Sequence, residues 1–228
     1  MTNMNKSVVM RTAYGKRLLH WLNAICFFIV GLSGLSFFFP SFDFLGHVLG
    51  TPQTARIYHP ILGVVVFLCL FVMFFKFVKG NLFQKTDLLW FKNIDSVLLN
   101  QHSKDLHIGK YNAGQKVLFW CIMSSICVLL VSGLMIWREY FADFFPVPVL
   151  RVAVLAHSAI ALALMLLVLG HIYFGIWVRG SITAMITGFV SLRWARAHHS
   201  RWYEELMAKE AKGEGEKITE SKKHTSGH

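Results

Sequence analysis

Two histidines fourteen residues apart, His157 and His171, lie in one apolar stretch, residues 147–178, interrupted only near its start by Arg151. On an α-helix they stand ~21 Å apart along the axis and ~40° short of four whole turns, so they project from one face near opposite surfaces of a bilayer. An imidazole in hydrocarbon is costly unless it is paired, hydrated or ligating, so each asks for a partner. His20 and His59, at the ends of two other apolar runs, stand in matching places.

The elements that position them can be read from composition. The chain has 228 residues, of which 55% are hydrophobic and 15% charged, with a mean hydropathy of +0.50. That is too apolar for a water-soluble core. Four runs, residues 18–39, 57–77, 117–137 and 148–178, each supply the ~20 residues that cross a bilayer as a helix. The expected fold class is therefore all-α, an integral membrane four-helix bundle. The first run follows a basic segment like the start of a signal peptide. It is about twenty residues long with no small-residue cleavage pattern after it, and it reads as a retained helix.

Lys and Arg are distributed unevenly. Residues 1–17 carry four, 76–116 seven and the stretch from Arg179 nine, leaving Arg56, Arg138 and Arg151 for the other two connections. By the positive-inside rule both termini are expected in the cytoplasm. The +11 net charge is accounted for by basic flanks against anionic lipid and calls for no nucleic acid. Cys26, Cys69, Cys121 and Cys127 all lie in apolar runs without CxxC or CxxCH spacing. This gives no thioether haem attachment and no zinc or iron–sulfur signature, and it leaves them as small packing residues.

The expected organisation is a cytoplasmic N-terminal segment (1–17), a four-helix membrane domain (18–178), a cytoplasmic interfacial segment (179–207) that continues as helix or docks on a partner, and a disordered tail (208–228). The outer connection 40–56 should be ordered but irregular. Apolar residues at 94, 97 and 98 fit a short amphipathic helix on the membrane surface.

Depth decides which imidazoles can meet. Helix one runs outward, so His20 is inner; helix two runs back, so His59 is outer; on the last helix His157 is outer and His171 inner. Only His20 with His171 and His59 with His157 are level. Two bis-histidine sites stacked across a bilayer are the arrangement of a dihaem b-type cytochrome, with six-coordinate irons suited to electron transfer. Gly34, fourteen residues after His20, then leaves room for the outer macrocycle, as Gly31 and Gly133 would; close helix packing is the other use of these glycines. His47, His102, His107, His198, His199, His224 and His228 read as solvated, with zinc binding by His198-His199 as an alternative.

The chain also resembles the gamma subunit, the membrane cytochrome b, of respiratory formate dehydrogenases. The resemblance runs from about Arg11 to Tyr203 through His20-Trp21, the segment from Gly34 to Pro40, Gly50-Thr51-Pro52-Gln53, Arg56 with His59-Pro60, the segment from Gly109 to Lys116, and His198-His199 with Arg201-Trp202-Tyr203. It implies two haem b groups on His20, His59, His157 and His171. It also implies an iron–sulfur beta subunit and a molybdopterin alpha subunit that oxidises formate on the outer face, in a complex whose oligomeric state is left open. It places a menaquinone pocket at His171, Asn112, Gly114 and Gln115.

The local chemistry of that loop admits two uses. Its amides could donate hydrogen bonds to quinone oxygens at the cytoplasmic mouth of a helix, and Asn112 with Gln115 also reads as a helix capping box. Rival readings are the cytochrome b of a hydrogenase or thiosulfate reductase, a histidine-relay transporter and a passive anchor. The transporter reading lacks acids in the apolar runs, and the anchor leaves the matched histidines unexplained.

Overall fold

A backbone crossing hydrocarbon must satisfy its own hydrogen bonds, and all four apolar runs do so as helices. The computed structural model describes residues 7–94, 108–178, 180–212 and 219–220. In chain order the elements are β1 (Ser7–Met10), α1 (Tyr14–Phe38), α2 (Pro52–Phe77), α3 (Lys85–Lys92), α4 (Ala113–Met135), α5 (Val147–Trp177), α6 (Ser181–Ile186), β2 (Phe189–Ser191), α7 (Leu192–His198), α8 (Ser200–Ala211) and β3 (Thr219–Glu220). Helices α1, α2, α4 and α5 are the four long and apolar enough to cross a membrane.

The outer connection folds into a 3₁₀ segment, Pro40–Leu49. Helix α2 starts earlier than hydropathy alone suggests because Thr51 and Thr54 form a reciprocal capping box in front of Pro52. His59 therefore lies about two turns inside α2 rather than at its end. It is followed by Pro60, which cannot donate to the carbonyl four residues back.

The chain divides into two compact units, Leu18–Val78 with Leu118–Phe174, and Met1–Arg17 with Lys79–Val117 and Gly175–His228. The first is the membrane unit. Its buried cluster is Cys26, Val66, Leu70 and Ile126, from α1, α2 and α4. Most other apolar side chains point outward, among them Ile25, Leu68, Phe75, Val131, Leu155 and Leu166, a surface suited to lipid tails. Cys26 and Cys69 are packed inside, whereas Cys121 and Cys127 are exposed, so packing within the chain explains only the first two.

The second, polar unit contains a small antiparallel sheet of order β2-β1-β3, with Val9 opposite Val190 and Val8 opposite Thr219. The sheet is an addition outside the all-α membrane bundle. Gly188 enables it: its φ of 92° turns the chain into β2, its carbonyl accepts from the Arg11 and Thr12 amides, and a Cβ there would meet the Thr12 carbonyl oxygen at 2.9 Å. Val9, Ala184, Val190, Leu192, Ala195 and Trp202 form the buried cluster beside it. The segment after α5 thus docks on the N-terminal strand. The tail expected to be disordered from Ala208 has helix to Ala211 and a strand at Thr219–Glu220; its remaining residues from 213 lie outside the described residues. So does most of the surface helix expected around 94–98, while α3 supplies a helix just before it.

Asp87 on α3 and Lys116 on α4 form a buried ion pair, with Nζ donating at 3.0 and 2.7 Å to the two carboxylate oxygens. Asp87 Oδ2 also accepts from the Gln84 amide at the start of α3. Removing one member of a buried pair strands the other charge. Lys116→Met should cost ~3–5 kcal/mol of stability in detergent, and adding Asp87→Asn, which keeps a capping oxygen without the charge, should recover most of it. Chemical denaturation of the parent, single and double variants checks both statements.

Candidate functional site

His59 and His157 sit on two matching cradles. On α1, Ser33 Oγ lies 2.9 Å from His59 Nδ1 and donates to the Val30 carbonyl at 3.0 Å. On α4, Ser132 Oγ lies 3.0 Å from His157 Nδ1 and donates to the Val128 carbonyl at 2.6 Å. Each hydroxyl hydrogen is already given to a backbone carbonyl, so each serine oxygen accepts from Nδ1–H. That tautomer leaves Nε2 as the free lone pair. The next residue in both places is glycine: a Cβ on Gly34 would stand 3.3 Å from His59 Cε1, and one on Gly133 3.1 Å from His157 Cε1. These glycines make room for imidazoles, where the sequence suggested room for a macrocycle. Gly31 instead faces Met165 at an ordinary 3.6 Å.

The His59 and His157 rings have centroids 6.5 Å apart with planes at 62°. His20 and His171 repeat this, at 6.4 Å and 62°. A direct N–H···N hydrogen bond would bring such centroids to ~5.2 Å. Two nitrogens each ~2 Å from one metal ion between them put the centroids ~6–6.5 Å apart. Each pair therefore has a ring separation compatible with two imidazole nitrogens bound to one metal ion, so these histidines are suited to hold haem iron. Trp21 packs edge-on against His20 and Phe37 edge-on against His59. The His20–His171 pair lacks the serine cradle in one respect: among the described residues, His20 Nδ1 is buried with no hydrogen-bond partner.

In the polar unit, Asn112 and Gln115 cap α4 reciprocally: the Asn112 amide donates to Gln115 Oε1 at 3.0 Å and the Gln115 amide to Asn112 Oδ1 at 2.8 Å. Each side-chain oxygen thus accepts one backbone bond, and the NH₂ groups remain as donors. Gly114 lies beneath Trp90, whose ring a Cβ would meet at 2.9 Å. The Trp90 indole N–H is buried without a partner. A cavity of about 50 Å³ is lined by Asp87, Trp90, Tyr111, Asn112, Lys116 and Arg201 among others. At ~10–15 Å³ per water centre it admits a few waters.

His199 corrects an expectation. It is 3% exposed rather than solvated, and no cluster of metal-binding side chains is found among the described residues. Its Nδ1–H donates to the Gly109 carbonyl at 2.7 Å, and its Nε2 accepts from Arg11 Nη2 at 3.1 Å. Arg11 also donates to the Lys110 carbonyl at 2.9 Å, and its guanidinium lies over the rings of Trp194 and Trp202, 4.9 and 5.0 Å from their centroids. This cluster ties the Gly109-Lys110 backbone, just before Asn112, to α7 and α8. The sequence did hint at it, through the aromatic and basic residues that alternate from Trp194 to Tyr203.

An apolar four-helix bundle with imidazoles paired level by level is the architecture of a membrane cytochrome b. The chain belongs to the prokaryotic cytochrome b561 family, whose model matches residues 11–188, and haem b is the cofactor of a cytochrome b. It is 50% identical over 214 residues to the cytochrome b556 subunit of the nitrate-inducible formate dehydrogenase of Escherichia coli strain K12, covering 93% of this chain and 99% of that one. It is 45% identical over 201 residues to the b556 subunit of a second formate dehydrogenase of that strain, covering 88% and 94%. A Haemophilus influenzae formate dehydrogenase cytochrome b556 subunit is 42% identical over 206 residues, covering 90% and 87%.

The His199 cluster gives a pH dependence. Burial, then the Arg11 charge, push its imidazole down to about 3, against the opposing bond to Gly109. The unfolded imidazole titrates near ~6.5. Between those values the unfolded state binds the extra proton, so stability is full above ~6.5 and falls as the pH drops toward 3. Melting of the parent, followed by tryptophan fluorescence, should weaken between pH 7.5 and 5; His199→Gln should be less stable at pH 7.5 and show a smaller decline.

Proposed function

We propose that this chain is the membrane cytochrome b subunit of a bacterial formate dehydrogenase, carrying electrons inward through two b haems to menaquinone. The observation that carries the proposal is the pair of imidazole couples at 6.4 and 6.5 Å. His20 and His171 would hold the inner haem, and His59 and His157 the outer. Bound haem supplies a one-electron centre whose filled coordination sphere leaves no site for oxygen. With both termini cytoplasmic, as the basic flanks favour, the outer couple faces an iron–sulfur beta subunit that receives electrons from a molybdopterin alpha subunit. The names of the relatives, cytochrome b556 subunits of formate dehydrogenases, support formate as the reductant over hydrogen or thiosulfate.

The quinone is assigned to His171, Asn112, Gly114 and Gln115. Capping engages the amide oxygens of Asn112 and Gln115 and leaves their NH₂ groups as N–H donors, the polarity a quinone carbonyl needs. Capping and binding are compatible uses of the same side chains. The cavity beside Asn112 would bring water, and with it protons, to the cytoplasmic side.

Two experiments test this reading. His59→Ala or His157→Ala should remove the outer haem and stop electron entry while the inner haem stays, seen in redox-difference spectra; loss of the inner haem alone would overturn the assignment. Asn112→Ala should leave both haems reducible by the donor yet slow quinol formation, by ~1–3 kcal/mol if one buried hydrogen bond is lost. Turnover at the parental rate in both Asn112→Ala and Gln115→Ala would reduce the amides to caps.

A further inference from the structure

The two outer histidines share an environment that the described contacts of the inner pair do not repeat. Each is held by the same tripeptide on a neighbouring helix, Ser33-Gly34-Leu35 for His59 and Ser132-Gly133-Leu134 for His157. In both, Nδ1–H donates to a serine oxygen that in turn donates to its own helix, at Val30 or Val128. Such a relay polarises the ring: the serine that accepts from Nδ1–H is a better acceptor because its own hydrogen is already engaged. Drawing Nδ1–H toward an acceptor makes the far nitrogen a stronger electron donor to a bound metal. His20 Nδ1 has no such partner.

We infer that Ser33 and Ser132 are positioning residues that fix the tautomer of the outer ligands and hold the outer haem at a lower reduction potential than the inner. A stronger nitrogen donor favours ferric over ferrous iron, so the hydroxyls bias each electron to leave the outer site for the inner one. The inference rests on the dihaem reading and deepens it: the serines set the direction of transfer as well as the seat of the ligands.

The test is a spectroscopic redox titration of the purified complex, with the outer haem identified as the one missing in His59→Ala. Ser33→Ala and Ser132→Ala should each raise the outer midpoint and leave the inner one in place. The double variant should move the reduction equilibrium by about tenfold, ~59 mV for one electron. Ser33→Thr and Ser132→Thr keep the hydroxyl and should remain near the parental value. Both haems present with an unmoved outer midpoint in the double alanine variant would overturn the inference while leaving the haem assignment intact. Fewer than two haems per chain in the parent would instead overturn the reading beneath it. If an alanine variant loses its haem, the parent decides: an outer midpoint below the inner supports the inference, and one at or above it overturns it.

Discussion

An imidazole in hydrocarbon has two nitrogens to satisfy, and the membrane helices meet that demand most fully at His59 and His157. A neutral ring needs an acceptor for its N–H and a use for its lone pair. At His59 and His157 the first demand is met by Ser33 and Ser132, which leaves the other nitrogen of each ring, and the rings stand at a separation too wide for a direct hydrogen bond and compatible with two bonds to one metal. Burying such a pair without a ligand would set two lone pairs against each other in a medium that screens them poorly.

The same contacts bind the membrane helices together. Lipid tails are as apolar as leucine, so burial gives these helices little reason to associate, and most of their large side chains do face outward. What ties them is polar. Ser33 to His59 joins α1 to α2, Ser132 to His157 joins α4 to α5, and the two imidazole pairs join α5 to α1 and α2. Helix α5 carries one histidine of each pair, so it acts as the spine. Small residues allow the approach: Gly34 and Gly133 stand where a methyl group would press on the rings.

The pairing of histidines was legible in the sequence because a helix has a fixed rise and alternating crossings convert residue number into depth. The serines were not. A serine in a membrane helix ordinarily bonds to a carbonyl of its own preceding turn, and Ser33 and Ser132 do this as well, so their second bond is visible only once a histidine from another helix is set beside them. The repeated Ser-Gly-Leu was readable but had no meaning without that placement. The small sheet was hidden for another reason: Val8 and Val9 find partners at Val190, Ser191 and Thr219, near the other end of the chain, and a four-residue strand carries too little pattern to announce such a pairing. His199 was misjudged because solvation is the ordinary state of a histidine in a polar segment, and its burial depends on Arg11 arriving from the other end of the chain.

The apolarity of the helices bears on function as much as on insertion. Residues 18–39, 57–77, 117–137 and 148–178 contain no Asp or Glu, so these runs offer no chain of carboxylates along which a proton could follow an electron. On the dihaem reading, an electron moving from the level of His157 to that of His171 covers ~21 Å of helix axis with no compensating charge. On that reading the proton needed at a quinone would come from water on the side where the buried Asp87 and Lys116 line a small cavity beside Asn112. Moving a charge alone through the full potential costs ~2.3 kcal/mol per 100 mV, and that cost is the energy the membrane stores. On the same reading, helices without acids would let an electron cross uncompensated by a proton, which is the condition for electrogenic transfer.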